Sequence, residues 1–109
     1  MEDKILITEA YQLLSELNKS YQSCKQGTAD DLRLQELLNT TLEELKTAEK
    51  LDNSILIDLE KFYQRTSLLI GLGSLKLNDQ ARIAWRNYDK FHYEHVKHVL
   101  TLYGPVFGF

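Results

Sequence analysis

The sequence predicts an all-α fold, an antiparallel up-down-up-down four-helix bundle with a short C-terminal tail, and three observations carry that prediction. One proline, Pro105, and five glycines, at 27, 71, 73, 104 and 108, are all that interrupt 109 residues, so long stretches run without a breaker. Within those stretches apolar residues recur every three or four positions, the period of one helix face, and no alternating run marks a strand. Leucine supplies 20 of the residues, a composition that fills layers between helices, whereas a sheet would lean on β-branched side chains. Four such helices joined by short links pack most economically as antiparallel neighbours.

The first helix is expected over 2–25. Leu6, Ala10, Leu13, Leu14, Leu17, Tyr21 and Cys24 fall on one stripe of it, and Gly27 closes it. Thr28 with Asp31 three positions on forms a capping box with Asp in place of Glu, and Asp30 and Asp31 suit the positive end of the next helix dipole. That second helix, over 29–51, carries Leu34, Leu37, Leu38, Leu42 or Thr41, Leu45 and Ala48 on its apolar side, with Glu43, Glu44, Lys46 and Lys50 opposite. The cap formers Asp52-Asn53-Ser54 open a third helix over 54–70, whose stripe is Ile55, Leu56, Leu59, Phe62, Tyr63, Thr66, Leu69 and Ile70. From Gly71 to Leu77 the chain reads as a connector in which both glycines are expected to supply positive φ. Asn78 or Asp79 then caps a fourth helix over 79–103, which Gly104-Pro105 stops, leaving a tail over 104–109.

Composition narrows the function classes. With 43% hydrophobic and 27% charged residues in 12.7 kDa, the chain is one folded domain rather than a disordered one. A core of that size leaves little room for a deep substrate cleft, which favours a binding module over an enzyme. The single cysteine, Cys24, has no partner for a disulfide or a zinc site, so a reducing cytoplasm is expected. The opening Met1-Glu2-Asp3-Lys4 is acidic where an export signal is basic. The longest nearly uncharged stretch, Ser67 to Leu75, falls far short of the ~20 residues that span a bilayer.

Thirteen basic against 16 acidic residues give a net charge of −3, but the balance is uneven. Up to Leu75 there are 8 bases and 13 acids; from Lys76 onward there are five bases, three acids and all three histidines. An acidic whole argues against general nucleic-acid binding, which needs a dense field of Lys and Arg. The basic C-terminal third leaves an acidic partner or an anionic membrane surface open.

His92, His95 and His98 form H-x-x-H-x-x-H on the fourth helix, and imidazole is a common metal ligand. At about 100° per residue His98 lies ~120° from His92, so three ligands would not converge, and neither H-E-x-x-H nor H-x-x-E-H is present. His92 and His95 are instead expected on the core stripe with Trp85, Tyr88 and Val99, each hydrogen-bonded. A phosphorelay carrier would expose one histidine beside a lysine and a small residue, but no Gly or Ala follows His95. Gly71-Leu72-Gly73-Ser74-Leu75-Lys76 follows a helix instead of a strand and does not make a phosphate loop. Cys24, on an apolar stripe without a nearby base, is expected as a buried inert thiol. No cofactor is called for.

Two features carry more. Arg82, Arg86, Lys90 and Lys97 fall within an arc of roughly 80° on the fourth helix, away from its apolar stripe, with Tyr93 among them: a basic ridge in an acidic protein. The tail Gly104-Pro105-Val106-Phe107-Gly108-Phe109 places Val106, Phe107 and Phe109 beyond the last helix, where they either cover the bundle or hook a partner.

A leucine-rich four-helix chain of this length, with Leu75-Lys76-Leu77-Asn78-Asp79-Gln80 leading into a helix that carries Trp85, resembles the immunity proteins of pediocin-like (class IIa) bacteriocins, the enterocin A immunity family. The likeness covers most of the chain, and its best piece is Leu77 to Trp85. It implies a non-enzymatic cytoplasmic bundle that protects the producer cell from a pore-forming peptide at the inner face of the membrane. There it engages the mannose phosphotransferase permease, the membrane receptor, once a bacteriocin has bound. The resemblance further implies that the last helix and tail select the bacteriocin. That points to Arg82, Arg86, Lys90, Tyr93 and Lys97 as a contact face and to Val106, Phe107 and Phe109 as the specificity element. The competing expectation is a cytoplasmic helical adaptor or regulatory protein that uses the same faces for an unrelated protein partner.

Overall fold

Helices in this chain begin where a polar side chain stands ready to take the first free amides. Thr28, Asp52 and Asn78 all lie in extended backbone, and their side chains accept from the amides of Asp31, Ile55 and Ala81. Each such cap contributes about 1 kcal/mol to its helix. The computed structural model describes residues 2–73 and 75–97. It shows α1 (Glu2–Tyr21), α2 (Ala29–Thr47), α3 (Asn53–Gly71) and α4 (Asp79–Phe91), with α4 running on into a π-helical segment, His92–Lys97. No strand occurs among the described residues. Around the bundle α1 packs on α2 and α4, α2 on α3, and α3 on the π segment, so chain neighbours are also neighbours in space. The fold is the all-α four-helix bundle that the sequence predicts.

Several boundaries differ from expectation for local reasons. α1 stops at Tyr21 rather than at 25 because Tyr21 turns its hydroxyl to the Asp31 carboxylate and the chain then turns through residues 22–24. Asp31 also accepts from the amides of Gln26 at 2.9 Å and Thr28 at 3.1 Å, which completes the capping box and closes the link. Gly27, at φ +77°, supplies the left-handed residue that this turn requires. α2 ends at Thr47 instead of 51, since Ala48 is already extended and the Leu51 amide donates to Asp3 at the start of α1. The fourth helix stays α-helical only to Phe91.

One face of each helix meets in the core: Ile7, Ala10, Leu14, Leu17 and Tyr21 from α1, Leu34, Leu38 and Leu45 from α2, Leu56, Leu59 and Phe62 from α3, and Ala84, Tyr88 and Phe91 from α4. Burying each large side chain contributes about 1.5–3 kcal/mol, which no isolated helix here could supply. The π segment keeps the last stretch in this core. A four-residue step drifts about 40° in an α-helix, so Tyr88, His92 and Val96 would spiral off the core face. A π turn, closing i→i+5 bonds, turns less per residue, and Val96 is fully buried.

Candidate functional site

Arg82, Arg86 and Lys90 lie on the outer side of α4, all exposed, and the exposed residues Tyr93 and Lys97 continue them along the π segment. The apolar side of α4 is fully used by Ala81, Ala84, Tyr88 and Phe91, which leaves the basic side to solvent. Arg82 donates to the Leu77 carbonyl at 3.3 Å, so its guanidinium sits at the head of the ridge. At the other end Lys97 Nζ lies 5.8 Å from the Tyr93 ring centroid, close enough for a cation–π contact. Ile83 is 56% and Tyr93 63% exposed, so the ridge pairs positive charge with apolar surface. All five ridge residues are thus exposed, and Lys97 lies close to Tyr93. Val106, Phe107 and Phe109 lie outside the described residues, as does His98.

The histidines part company. His92 is buried against α3, where its Nε2 lies 2.6 Å from Glu60 Oε1; a carboxylate oxygen only accepts, so Nε2 donates. Gln64 donates to the other Glu60 oxygen at 2.7 Å. Tyr63 stacks flat on the imidazole, with centroids 3.7 Å apart, and Trp85 stacks on Tyr63 at 5.4 Å. Burial pushes the His92 pKa below its ordinary value, outweighing the pull of Glu60 in the other direction. The Tyr63 phenol is raised, first by burial and then by its hydrogen bond to Asp89. His95 packs on Phe91 instead, at 5.0 Å. Among the described residues no three His, Cys, Asp or Glu side chains are placed to hold a metal ion. This seam of α3 and α4 is closed, and its chemistry is cohesive. Glu60 as its buried acid was invisible in the sequence, where it reads as one more polar residue between apolar ones.

A second feature escaped sequence reasoning because it belongs to two helices at once. Between α2 and α3 lies an open groove of about 510 Å³ whose floor includes Leu37, Phe62 and Leu69. Arg33 and Arg65 line it toward the start of α2 and the end of α3, while Glu44, Asp58 and Lys61 line it toward the opposite end. Among the described residues neither arginine makes an ion pair. Glu44 Oε2 is buried with no donor in reach, and the Glu44 carboxyl meets that of Asp58. Two carboxyls form a hydrogen bond only with a proton between them, so Asp58, followed by burial, pushes Glu44 up to about 7 while Lys61 pulls it down.

The other sequence candidates find structural roles. Cys24 is half-buried rather than buried, and its sulfur accepts the Asn78 amide at 3.2 Å, while Ser23 Oγ accepts from the Asn78 side chain at 3.0 Å. The start of α4 is thereby held to the end of α1. Positive φ does not explain Gly71 and Gly73: Gly71 is helical and only Gly27 lies in the left-handed region among the described residues. Gly73 is there for space, since a Cβ would stand 2.6 Å from Asp30 Oδ2 and 2.7 Å from the Leu69 carbonyl oxygen. No described helix is long and apolar enough to cross a membrane. No family model, curated protein or solved structure matches the chain.

Proposed function

We propose that the chain is an immunity protein of the pediocin-like bacteriocin type, acting by stoichiometric binding and breaking no bond. Its partner in this reading is the mannose phosphotransferase permease with bacteriocin bound, met at the cytoplasmic face of the membrane. The observation that supports it is the exposed ridge of Arg82, Arg86 and Lys90 on the side of α4 away from the core. A cationic ridge flanked by the exposed side chains Ile83 and Tyr93 suits an acidic protein surface beside anionic lipid. Protection follows if the bundle binds only the toxin-opened receptor, because a ligand selective for one state shifts the population toward it.

The test is survival of a sensitive strain that expresses the chain, challenged with a panel of pediocin-like bacteriocins. Protection against one or a few members is expected, and protection against none removes the immunity reading. Each Lys or Arg near an anionic surface contributes about 1 kcal/mol, so reversing Arg86 and Lys90 to Glu should weaken association at least about 30-fold. The loss should shrink as salt is raised. Undiminished protection by this variant would take the ridge out of the mechanism. Phe107→Ala and Phe109→Ala test the tail in the same assay, with a change in which bacteriocin is countered as the expected result.

A further inference from the structure

The groove between α2 and α3 has the makings of a small-molecule site that the immunity reading does not use. Its volume of about 510 Å³ falls within the roughly 300–1,000 Å³ typical of such sites. The two ends differ in charge. Asp30 Oδ2 lies where a Cβ on Gly73 would stand, so the start of α2 meets the end of α3. Arg33, one turn into α2, and Arg65, about two turns before Gly73, therefore line the same end from facing helices. Their guanidiniums are without an acidic partner among the described residues, although Glu36 lines the groove nearby. At the far end stands the Glu44–Asp58 carboxyl pair. Two guanidiniums at the first end, against one ammonium, that of Lys61, beside two carboxyls at the second, draw an anion toward the first end.

Between the ends the floor is apolar; Leu68, 57% exposed, lines the arginine end, and Leu72, 85% exposed, follows it one helical turn on. Leu68 and Leu72 therefore offer apolar surface beside the two arginines. We propose that the α2–α3 groove binds a monomeric anionic amphiphile, with its carboxylate or phosphate head between Arg33 and Arg65 and its apolar chain on Leu37, Phe62 and Leu69. Guanidinium suits either head, since its fork of N–H donors matches both oxyanions. The concavity selects a single molecule over a bilayer, because a flat lipid surface cannot reach a floor that lies between two helices.

Dodecyl phosphate and laurate, each kept monomeric, are titrated into the full chain and followed by amide chemical shifts. Saturable shifts at Leu37, Thr40 and Leu69 are expected with both probes, and much weaker ones with inorganic phosphate or dodecanol alone. Arg33→Gln and Arg65→Gln, both on exposed helix positions, should each weaken dodecyl phosphate about tenfold with the spectrum of the fold unchanged. Equal binding by the double variant overturns the proposal. So does binding to anionic vesicles without binding of the monomer, and so do shifts confined to Arg82–Lys90, which would assign the anion to the ridge. Protection assays do not bear on this outcome, so the two readings fail separately.

Discussion

The sharpest test of how the core is held concerns Glu60 and His92. Replacing His92 by Phe keeps a flat ring to stack on Tyr63 but removes the 2.6 Å hydrogen bond to Glu60. Replacing Glu60 by Ala strands the imidazole N–H in a side chain only 3% exposed. A hydrogen bond to a charged group contributes about 1.5–3 kcal/mol, and the geometry here is short and dry, so the coupling energy from a double-mutant cycle should lie in that range. For a domain of this size that corresponds to a melting shift of roughly 6–12 °C. Chemical denaturation of the four proteins at pH 7.5 supplies the cycle. A coupling below about 0.5 kcal/mol would refute the reasoning and make the contact incidental. The pH dependence adds an independent reading. Burial favours neutral His92 in the fold, so its contribution is complete above the ordinary histidine value and is lost as pH falls below about 6.5. The His92→Phe variant should lack that slope; a slope retained in full would place its origin elsewhere.

Three further outcomes are expected. The Glu44–Asp58 pair titrates with the opposite sign: its proton is bound better in the fold, so its stabilisation is full below pH ~4.3 and lost as pH rises through about 7. Asp58→Asn should flatten that part of the melting-temperature profile, and an unaltered profile would show that the two carboxyls do not share a proton. Gly73→Ala should destabilise by about 1–3 kcal/mol, since its Cβ would press on the Leu69 carbonyl, whereas Gly71→Ala, with open space around it, should stabilise by about 0.5–1 kcal/mol; thermal melts that reverse the order contradict the packing. Tyr21→Phe should cost about 1.5–3 kcal/mol. It should also raise the Asp31 carboxyl from about 2, where hydrogen bonds from Tyr21, Gln26 and Thr28 outweigh the upward push of burial, a change that carboxyl carbon NMR titration reads directly.

The capping signals and the stripes were legible because each is a local pattern. Thr28 with Asp31, Asp52, and Asn78 do in the fold what their spacing foretells, and Leu34, Leu38, Leu59, Phe62 and Tyr88 are buried as their period demands. Ile7 is not told apart from Leu6 by the period, because the two, 100° apart, sit at opposite edges of one broad stripe that admits either. What lay beyond reach was tertiary. Nothing near Glu60 tells that a histidine 32 positions later will come to rest on it, and nothing near Asp58 shows that Glu44 lies across the helix interface. Residue 92 is also where α-helical reckoning of angles ceases to hold, so the helical period no longer fixes the bearing of Lys97 relative to Arg82, Arg86 and Lys90. Arg33 and Arg65 were passed over singly, since either alone is an ordinary solvated cation.

A π turn holds one residue more than an α-helix needs over the same length, so His92–Lys97 carries a residue that helical continuity does not require. His92–Lys97 therefore acts as a dial. Deleting one residue after His92 would return the segment to α-helical winding, turn Lys97 by about 100° about the axis and take Val96 off the core, while α2, α3 and α4 kept their caps. The bearing on which the chain leaves the bundle at Lys97 is thus tied to the packing of Val96 against the core, and one deletion alters both.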